Sequence, residues 1–136
     1  MYTTYLSEST ILKMSCCHST KNDAIQCPVQ VTLGLIGGKY KTLILWHLLS
    51  TTLRYSELQK KIPQATPKML TQQLRELEAD GLLTRTVYPV VPPHVEYNLT
   101  ALGASLKPIL AAMMDWGCQY LRDSGIEPNC SMVKNP

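Results

Sequence analysis

Residues 62–83, with the sequence IPQATPKMLTQQLRELEADGLL, contain a helix whose two ends are both marked by residue type. Thr66 is a favourable N-cap residue, and Pro67 suits the first helical position because its missing N–H would have no partner there. Gly81 can adopt the left-handed backbone that commonly ends a helix. The apolar residues at helical spacing are Leu70, Leu74 and Leu77. The sequence therefore predicts a helix from Thr66 to Asp80 with one buried face.

The segments on either side give a characteristic order of elements. A shorter helix from Ser56 to about Ile62 comes first, and Pro63 ends it. After the longer helix, the runs LTRTVY and HVEYNL, joined by PVVPP, predict a β-hairpin. Three further helices are predicted, over residues 28–36, from about residue 39 and from residue 100 onward. A short strand is predicted over residues 53–55. This order predicts an α+β fold, a mostly helical winged helix-turn-helix with a two- or three-stranded antiparallel wing.

Length and composition limit the organisation of the chain. With 136 residues, 45% hydrophobic and 17% charged, it suits one folded domain and excludes a large multidomain enzyme or a disordered chain. We expect a flexible N-terminal arm over residues 1–26, the winged helix-turn-helix domain with its dimerisation helices over residues 27–122, and a flexible tail over residues 123–136. No membrane-length apolar run or signal-peptide pattern occurs, so we expect a cytoplasmic protein.

The predicted outward face of the longer helix carries side chains that can read DNA bases. Positive charge is concentrated in the segment from Lys39 to Arg75, which includes most of this helix and contains seven basic residues and one acidic residue. Four residues spaced i, i+3, i+4 and i+7 share this face: Lys68, Thr71, Gln72 and Arg75. Gln pairs with adenine, Arg pairs with guanine, and Thr contacts a thymine methyl group or a phosphate. We predict double-stranded DNA as the partner, with Thr66 and Lys60 on the backbone; the alternative is an ordinary solvated face.

The hairpin is predicted to act as the wing. Arg85 lies at its base and His94 lies near its tip, where either side chain could contact a phosphate or the minor groove. The alternative for Arg85 is an ion pair with Glu96 across the hairpin. The residues expected to pack the wing onto the body are Val87, Val95, Tyr97 and Leu99.

The last helix has a broad apolar face, which predicts a homodimer. Its members are Leu106, Ile109, Leu110, Met113, Trp116 and Tyr120. A domain this small cannot readily cover them all, so a second subunit is the predicted cover, although packing within the chain on the first two helices accounts for part of this face. A twofold dimer predicts an inverted-repeat operator with half-sites about one helical turn apart.

Two groups of cysteines suggest how the protein could respond to a signal. Cys27 directly precedes Pro28, where the helix N-terminus favours a thiolate; the alternative is an unreactive cap residue. The run of Cys16, Cys17 and His18 leaves a metal-responsive regulator as an alternative, although adjacent cysteines chelate one ion poorly and we predict no metal site.

Other functions find less support in the sequence. No phosphate-binding loop, metalloprotease motif or nucleophile elbow occurs, so we predict neither an enzyme nor a cofactor. A winged helix that binds only proteins is the stronger alternative, and it would lack the steep salt dependence of DNA binding.

Several strings, in order along residues 27–120, resemble the HxlR-type winged helix-turn-helix regulators, a branch related to the MarR family. They are CPVQVTLGLIGGKYK, RYSELQKKIP, KMLTQQLRELEADGLLTRTVYPVVPPHVEYNLT and the following ALG. The resemblance implies a bacterial or archaeal transcription factor that binds operator DNA as a homodimer. It further implies that the helix from Thr66 to Asp80 is the recognition helix, that the hairpin from Leu83 to Leu99 is the wing, and that the first and last helices build the dimer.

The resemblance also bears on individual residues. Cys27 matches the cysteine through which some members of the family respond to oxidants or electrophiles. Cys118, on the predicted dimer helix, is the best candidate partner across the interface, and Cys130 and the pair Cys16 and Cys17 are weaker candidates. A small-molecule effector is a further expectation. Two positions depart from the family pattern, since Tyr40 replaces a usual Trp and His94 replaces a usual Arg or Lys. An ordinary imidazole is mostly neutral at pH 7, which weakens the case for a charged wing contact at His94.

Overall fold

The computed structural model describes residues 27–129. The chain divides into two units, residues 1–39 and 40–136. In the first unit, helix α1 (Pro28–Ile36) begins at the predicted proline, and its side chains Val29, Val31 and Leu33 are exposed. Among the helices within residues 27–129, none has the length and apolar character needed to cross a membrane.

The second unit contains five helices and three strands within its described residues. In chain order they are α2 (Lys41–Leu48), β1 (Leu53–Arg54), α3 (Tyr55–Lys61), α4 (Pro67–Ala79), β2 (Leu83–Tyr88), β3 (His94–Leu99), α5 (Ala101–Ala104) and α6 (Lys107–Asp123). The strands form an antiparallel sheet in the order β1-β3-β2. The predicted winged helix-turn-helix with a three-stranded wing is therefore confirmed.

Local signals set the ends of α4. The Thr66 hydroxyl accepts a hydrogen bond of 3.2 Å from the backbone N–H of Met69, and Pro67 occupies the first helical position. Gly81 has φ of +75°, the left-handed conformation predicted for it. These local interactions determine which residues α4 presents outward.

A continuous apolar core fixes α4 against its neighbours. Helix α2 packs on α3, α4, α6 and β3. The largest fully buried side chains are Ile44, Leu45, Leu58, Ile62, Leu70, Leu74, Leu77, Leu82 and Leu83. Because α4 buries its leucine stripe here, its polar side faces outward.

Two expectations about the structure are wrong in detail. The single long helix expected after Thr100 is broken into α5 and α6, with Pro108 in the first turn of α6. Proline has no N–H to donate, so it suits the start of a new helix better than the interior of one. In the wing, Tyr97 is buried as expected, but Val87 lies nearer the hairpin loop and is 52% exposed.

His47, a half-buried histidine of α2, predicts that the protein loses stability in mild acid. His47 is half-buried, and its Nδ1 is inaccessible and makes no hydrogen bond within residues 27–129. Burial, and then the charge of Lys61, lower the pKa of His47 below its usual 6.5. The unfolded chain therefore binds a proton first as the pH falls, and the free energy of unfolding should decrease below about pH 6.5.

The measurement is urea unfolding at pH 7.5 and pH 5.5, with His47→Leu as the comparison. Each unit by which the pKa of His47 differs between the folded and unfolded states corresponds to about 1.4 kcal/mol of stability. The substitution should therefore make the free energy of unfolding less dependent on pH between 5.5 and 7.5. The pKa of Glu76 is lowered from 4.5, so the stability that its carboxylate contributes is lost only at a pH more acidic than this interval. Equal stability of the native protein at both pH values would contradict the prediction.

Candidate nucleic-acid interface

The outward side of α4 brings together the four predicted base-reading residues. Lys68, Gln72 and Arg75 are exposed and Thr71 is half-buried. Together with Pro67 and Glu76 they line an open cavity of about 550 Å³. Tyr55, which no sequence pattern singles out, donates a hydrogen bond to the Pro67 carbonyl, and its hydroxyl lies 3.3 Å from that of Thr71. This surface is the candidate interface.

An ion pair behind this surface involves Lys41, one of the seven basic residues from Lys39 to Arg75. The Lys41 side chain is only 8% exposed, and its Nζ lies 2.7 Å from Oε2 of Glu76. Gln72 Nε2 donates to the other carboxylate oxygen, Oε1, at 3.3 Å. Hydrogen bonds from Lys41 and then Gln72 lower the pKa of Glu76. The contact between Gln72 and Glu76 could have been predicted from their i, i+4 spacing within one helix. The contact between Lys41 and Glu76 joins two helices, so no spacing in the sequence indicates it.

A second cavity, of about 330 Å³, lies between α4 and the wing. Arg75 from α4 and Arg85 from β2 both line it. The strand register places Arg85 opposite Tyr97, whereas Glu96 lies opposite Thr86. Since successive side chains of a strand point to opposite faces, Arg85 and Glu96 are on different faces of the sheet, and the alternative ion pair between them is excluded.

His94 is held by neighbours within the sheet. It is the first residue of β3, and its ring stacks on Tyr88 with 4.7 Å between centroids. Its Nε2 lies 3.4 Å from Oε1 of Glu96, the oxygen that is also 4.0 Å from Nε of Arg54. Val91, in the loop, is fully exposed. His94 pairs with Tyr88 in the last strand pair before the loop, so it lies near the tip of the hairpin, as expected.

The two predicted backbone contacts lie on either side of the turn in the helix-turn-helix. Lys60 is exposed in the last turn of α3. Thr66 is exposed at the N-terminus of α4, where its hydroxyl already accepts the capping hydrogen bond. The hydroxyl proton remains available for a second acceptor.

The structure describes two of the cysteines, both half-buried thiols. Cys27 is the N-cap residue of α1, and its carbonyl accepts from the N–H of Val31. On α6, the Cys118 thiol donates to the Met114 sulfur at 3.6 Å. The predicted alternative metal ligands Cys16, Cys17 and His18 lie outside the described residues. Within residues 27–129 no group of three or more His, Cys, Asp or Glu could hold a metal ion.

The apolar face of α6 is only partly covered within one chain. Ile109, Met113, Trp116 and Tyr120 are exposed, and the rings of Trp116 and Tyr120 stack with centroids 5.4 Å apart. Leu106 is half-buried. Leu110 is 3% exposed, so it belongs to the core of its own chain and offers no surface to a partner.

A helix-turn-helix that presents a polar second helix beside a three-stranded wing defines the winged helix-turn-helix class. The chain belongs to the HxlR-like helix-turn-helix family, whose model matches residues 35–125. The family resemblance noted in the sequence is thereby confirmed.

Known relatives agree with this assignment. The chain is 48% identical over 101 residues to YdeP of Bacillus subtilis (strain 168), described as an uncharacterized HTH-type transcriptional regulator, covering 74% of this chain and 79% of YdeP. The structure of the redox regulator HypR in its oxidized form is similar with a TM-score of 0.65 and 49% identity, over 67% of this chain and 94% of HypR. The reduced form of the transcriptional regulator YodB from B. subtilis is similar with a TM-score of 0.61 and 29% identity, over 73% of this chain and 95% of YodB.

Proposed function

We propose that this protein regulates transcription in the cytoplasm by binding a specific double-stranded DNA sequence as a homodimer. The observation that carries the proposal is the outward face of α4, where Lys68, Thr71, Gln72 and Arg75 lie together on a helix held by a helix-turn-helix core. Bidentate donors on an exposed helix are what reading of the major groove requires. The four residues are the proposed base contacts.

The flanking elements would hold the DNA backbone. Lys60 and the hydroxyl of Thr66 lie on either side of the turn and supply donors for phosphate oxygens. Arg85 and Arg75 line the same cavity between α4 and the wing, and a phosphate bound there is the proposed partner of both. His94 is a weaker wing contact, because a phosphate would have to compete with Glu96 for it.

The exposed apolar surface of α6 supports the proposed homodimer. Trp116 is 63% exposed in a single chain, and its neighbours on the same face are also apolar. A second copy that covers this face would present two α4 helices related by twofold symmetry. The expected operator is an inverted repeat with half-sites about one helical turn apart.

Cys27 is the proposed redox-sensing residue. Its place at the N-cap of α1 favours the thiolate, which is the reactive form. With Cys118 of the other subunit it would form a disulfide, and the two thiols would give two electrons and two protons to an oxidant. The similarity to HypR, a redox regulator, supports this proposal.

The decisive experiment is selection of bound DNA from a random pool, with and without a thiol oxidant. A shared inverted repeat among the selected sequences would support both sequence reading and the dimer. Loss of binding with oxidant in the native protein, but not in Cys27→Ser, would support the sensing role. Failure to enrich any sequence would overturn the proposed function and favour a winged helix that binds proteins.

Replacing Arg75 by alanine should weaken binding to the selected operator by about 1–3 kcal/mol and relax the preference for one guanine. The guanidinium is exposed on the centre of the proposed interface and has the fork geometry that guanine requires. Fluorescence anisotropy with operators altered at single positions measures both effects. Arg122→Ala, which removes the same charge from the last turn of α6, is the matched control. An equal loss on every DNA sequence would identify Arg75 as a phosphate contact.

A further inference from the structure

The ion pair between Lys41 and Glu76 lies directly behind one of the proposed base-reading side chains. Lys41 is the first residue of α2, and its ammonium group holds Oε2 of Glu76 at 2.7 Å. Oε1 of the same carboxylate accepts the hydrogen bond from Nε2 of Gln72. A buried ammonium group needs a partner of opposite charge, so Glu76 is held strongly in place. The three side chains form a connection from the protein interior to the outward face of α4.

This connection restricts what the Gln72 carboxamide can offer to a base. Glu76 uses one of its N–H groups, which leaves one N–H and the carbonyl oxygen. Reversing the amide would place its oxygen against a carboxylate oxygen, and neither atom carries a proton. Adenine presents the acceptor N7 and the donor N6–H₂ in the major groove, which matches the remaining pair. Guanine presents two acceptors there, and a glutamine that meets both needs two N–H groups.

We propose that Glu76, held by Lys41, is a positioning residue that restricts Gln72 to adenine. The inference rests on the proposed function and adds a determinant of base specificity to it. This positioning role also explains why the carboxylate of Glu76 lies on a surface that would face the phosphates of DNA. Its charge is neutralised by Lys41, and its oxygen orients the neighbouring amide.

Other contacts hold α4, and the turn before it, against the start of α2 without this ion pair. The backbone N–H of Tyr40 donates to Oε1 of Gln73 at 3.3 Å, and the Tyr40 hydroxyl donates to the carbonyl of Gln64 at 3.1 Å. The leucine stripe of α4 is also buried in the core. Removing the Glu76 carboxylate should therefore leave the position of α4 unchanged, and its effect on specificity can be measured in a folded protein.

The test compares the affinities of operators that carry each of the four base pairs at one position, chosen as the position whose preference Gln72→Ala abolishes. Glu76→Ala should lower the preference for adenine over guanine there by at least about fivefold, the lower end of what a bidentate contact provides. Preferences at other positions and the salt dependence should not change. Lys41→Met/Glu76→Ala should give the same result without leaving a buried ammonium unpaired, which ensures a folded protein for the measurement. Glu78→Ala, which removes the same charge from the same helix, should keep the preference.

Each outcome decides the inference. A retained preference for adenine in either folded Glu76 variant would overturn it, and so would a similar loss of preference at all positions, because that result indicates a purely structural role. If Gln72→Ala changes no base preference, the inference fails while the proposed function stands. If the native protein itself binds all DNA sequences equally, the proposed function fails.

Discussion

Raising the salt concentration from about 50 mM to about 200 mM should weaken operator binding by about 10³- to 10⁵-fold. Each phosphate neutralised by Lys or Arg releases condensed counterions, and this release is less favourable when the solution already contains many ions. Besides Arg54, whose Nε lies 4.0 Å from Glu96, five exposed basic side chains lie on the helix-turn-helix and the wing: Lys60, Lys61, Lys68, Arg75 and Arg85. A dimer presents each of them twice, which is compatible with about six to ten phosphate contacts.

Anisotropy titrations at several salt concentrations give the slope of the logarithm of affinity against the logarithm of salt concentration. Lys60→Ala should reduce the magnitude of this slope by about 2, because Lys60 is a proposed phosphate contact and each of the two subunits loses about 1. Lys107→Ala, a change of the same kind in the first turn of α6, should leave the slope as it is. A native slope close to zero would contradict DNA binding and favour a winged helix whose partner is a protein.

Replacing Gly103 by alanine should destabilise the fold by about 3 kcal/mol, the upper end of what overpacking commonly costs. Helix α5 lies so close to the start of β2 that a Cβ at Gly103 would lie 2.0 Å from the Leu82 carbonyl oxygen. That oxygen also accepts a hydrogen bond from the N–H of Thr100, so it cannot move freely. The new methyl group would have to separate α5 from the wing.

Urea unfolding of the variant measures this loss. Gly117→Ala is the matched control, because it adds the same methyl group at a helix position where, apart from the adjacent residues and turns of its own helix, no heavy atom of residues 27–129 lies within 4 Å of the new Cβ. There the better helix propensity of alanine should stabilise the fold by up to about 1 kcal/mol. Equal stability of Gly103→Ala and the native protein would show that α5 can shift at little cost.

Much of the fold follows from signals that act over a few residues. The cap at Thr66, the proline after it and the glycine at position 81 set the ends of α4, and the leucine spacing sets the face that it buries. The prediction of one long helix after Thr100 failed because a proline can either bend a helix or begin a new one. Which of the two occurs is seen only in the fold, where α5 lies close to Leu82, 21 residues before Gly103.

The candidate interface shows the same division. The i, i+3, i+4, i+7 spacing was enough to predict that the polar residues of α4 share a face. The partner of Arg85 was not predictable, because Arg85 and Glu96 are near each other in any hairpin, and only the strand register places them on opposite faces.

The amino-acid sequence by itself determined the order of the elements, the limits of α4 and the family, because caps, turns and hydrophobic spacing are local properties of the chain. Only the tertiary structure decided that Lys41 binds Glu76, that Arg85 and Arg75 line one cavity, and that Leu110 belongs to the core. Such contacts join residues far apart in the sequence. They depend on how helices pack and how strands align, and no spacing within a single segment specifies them.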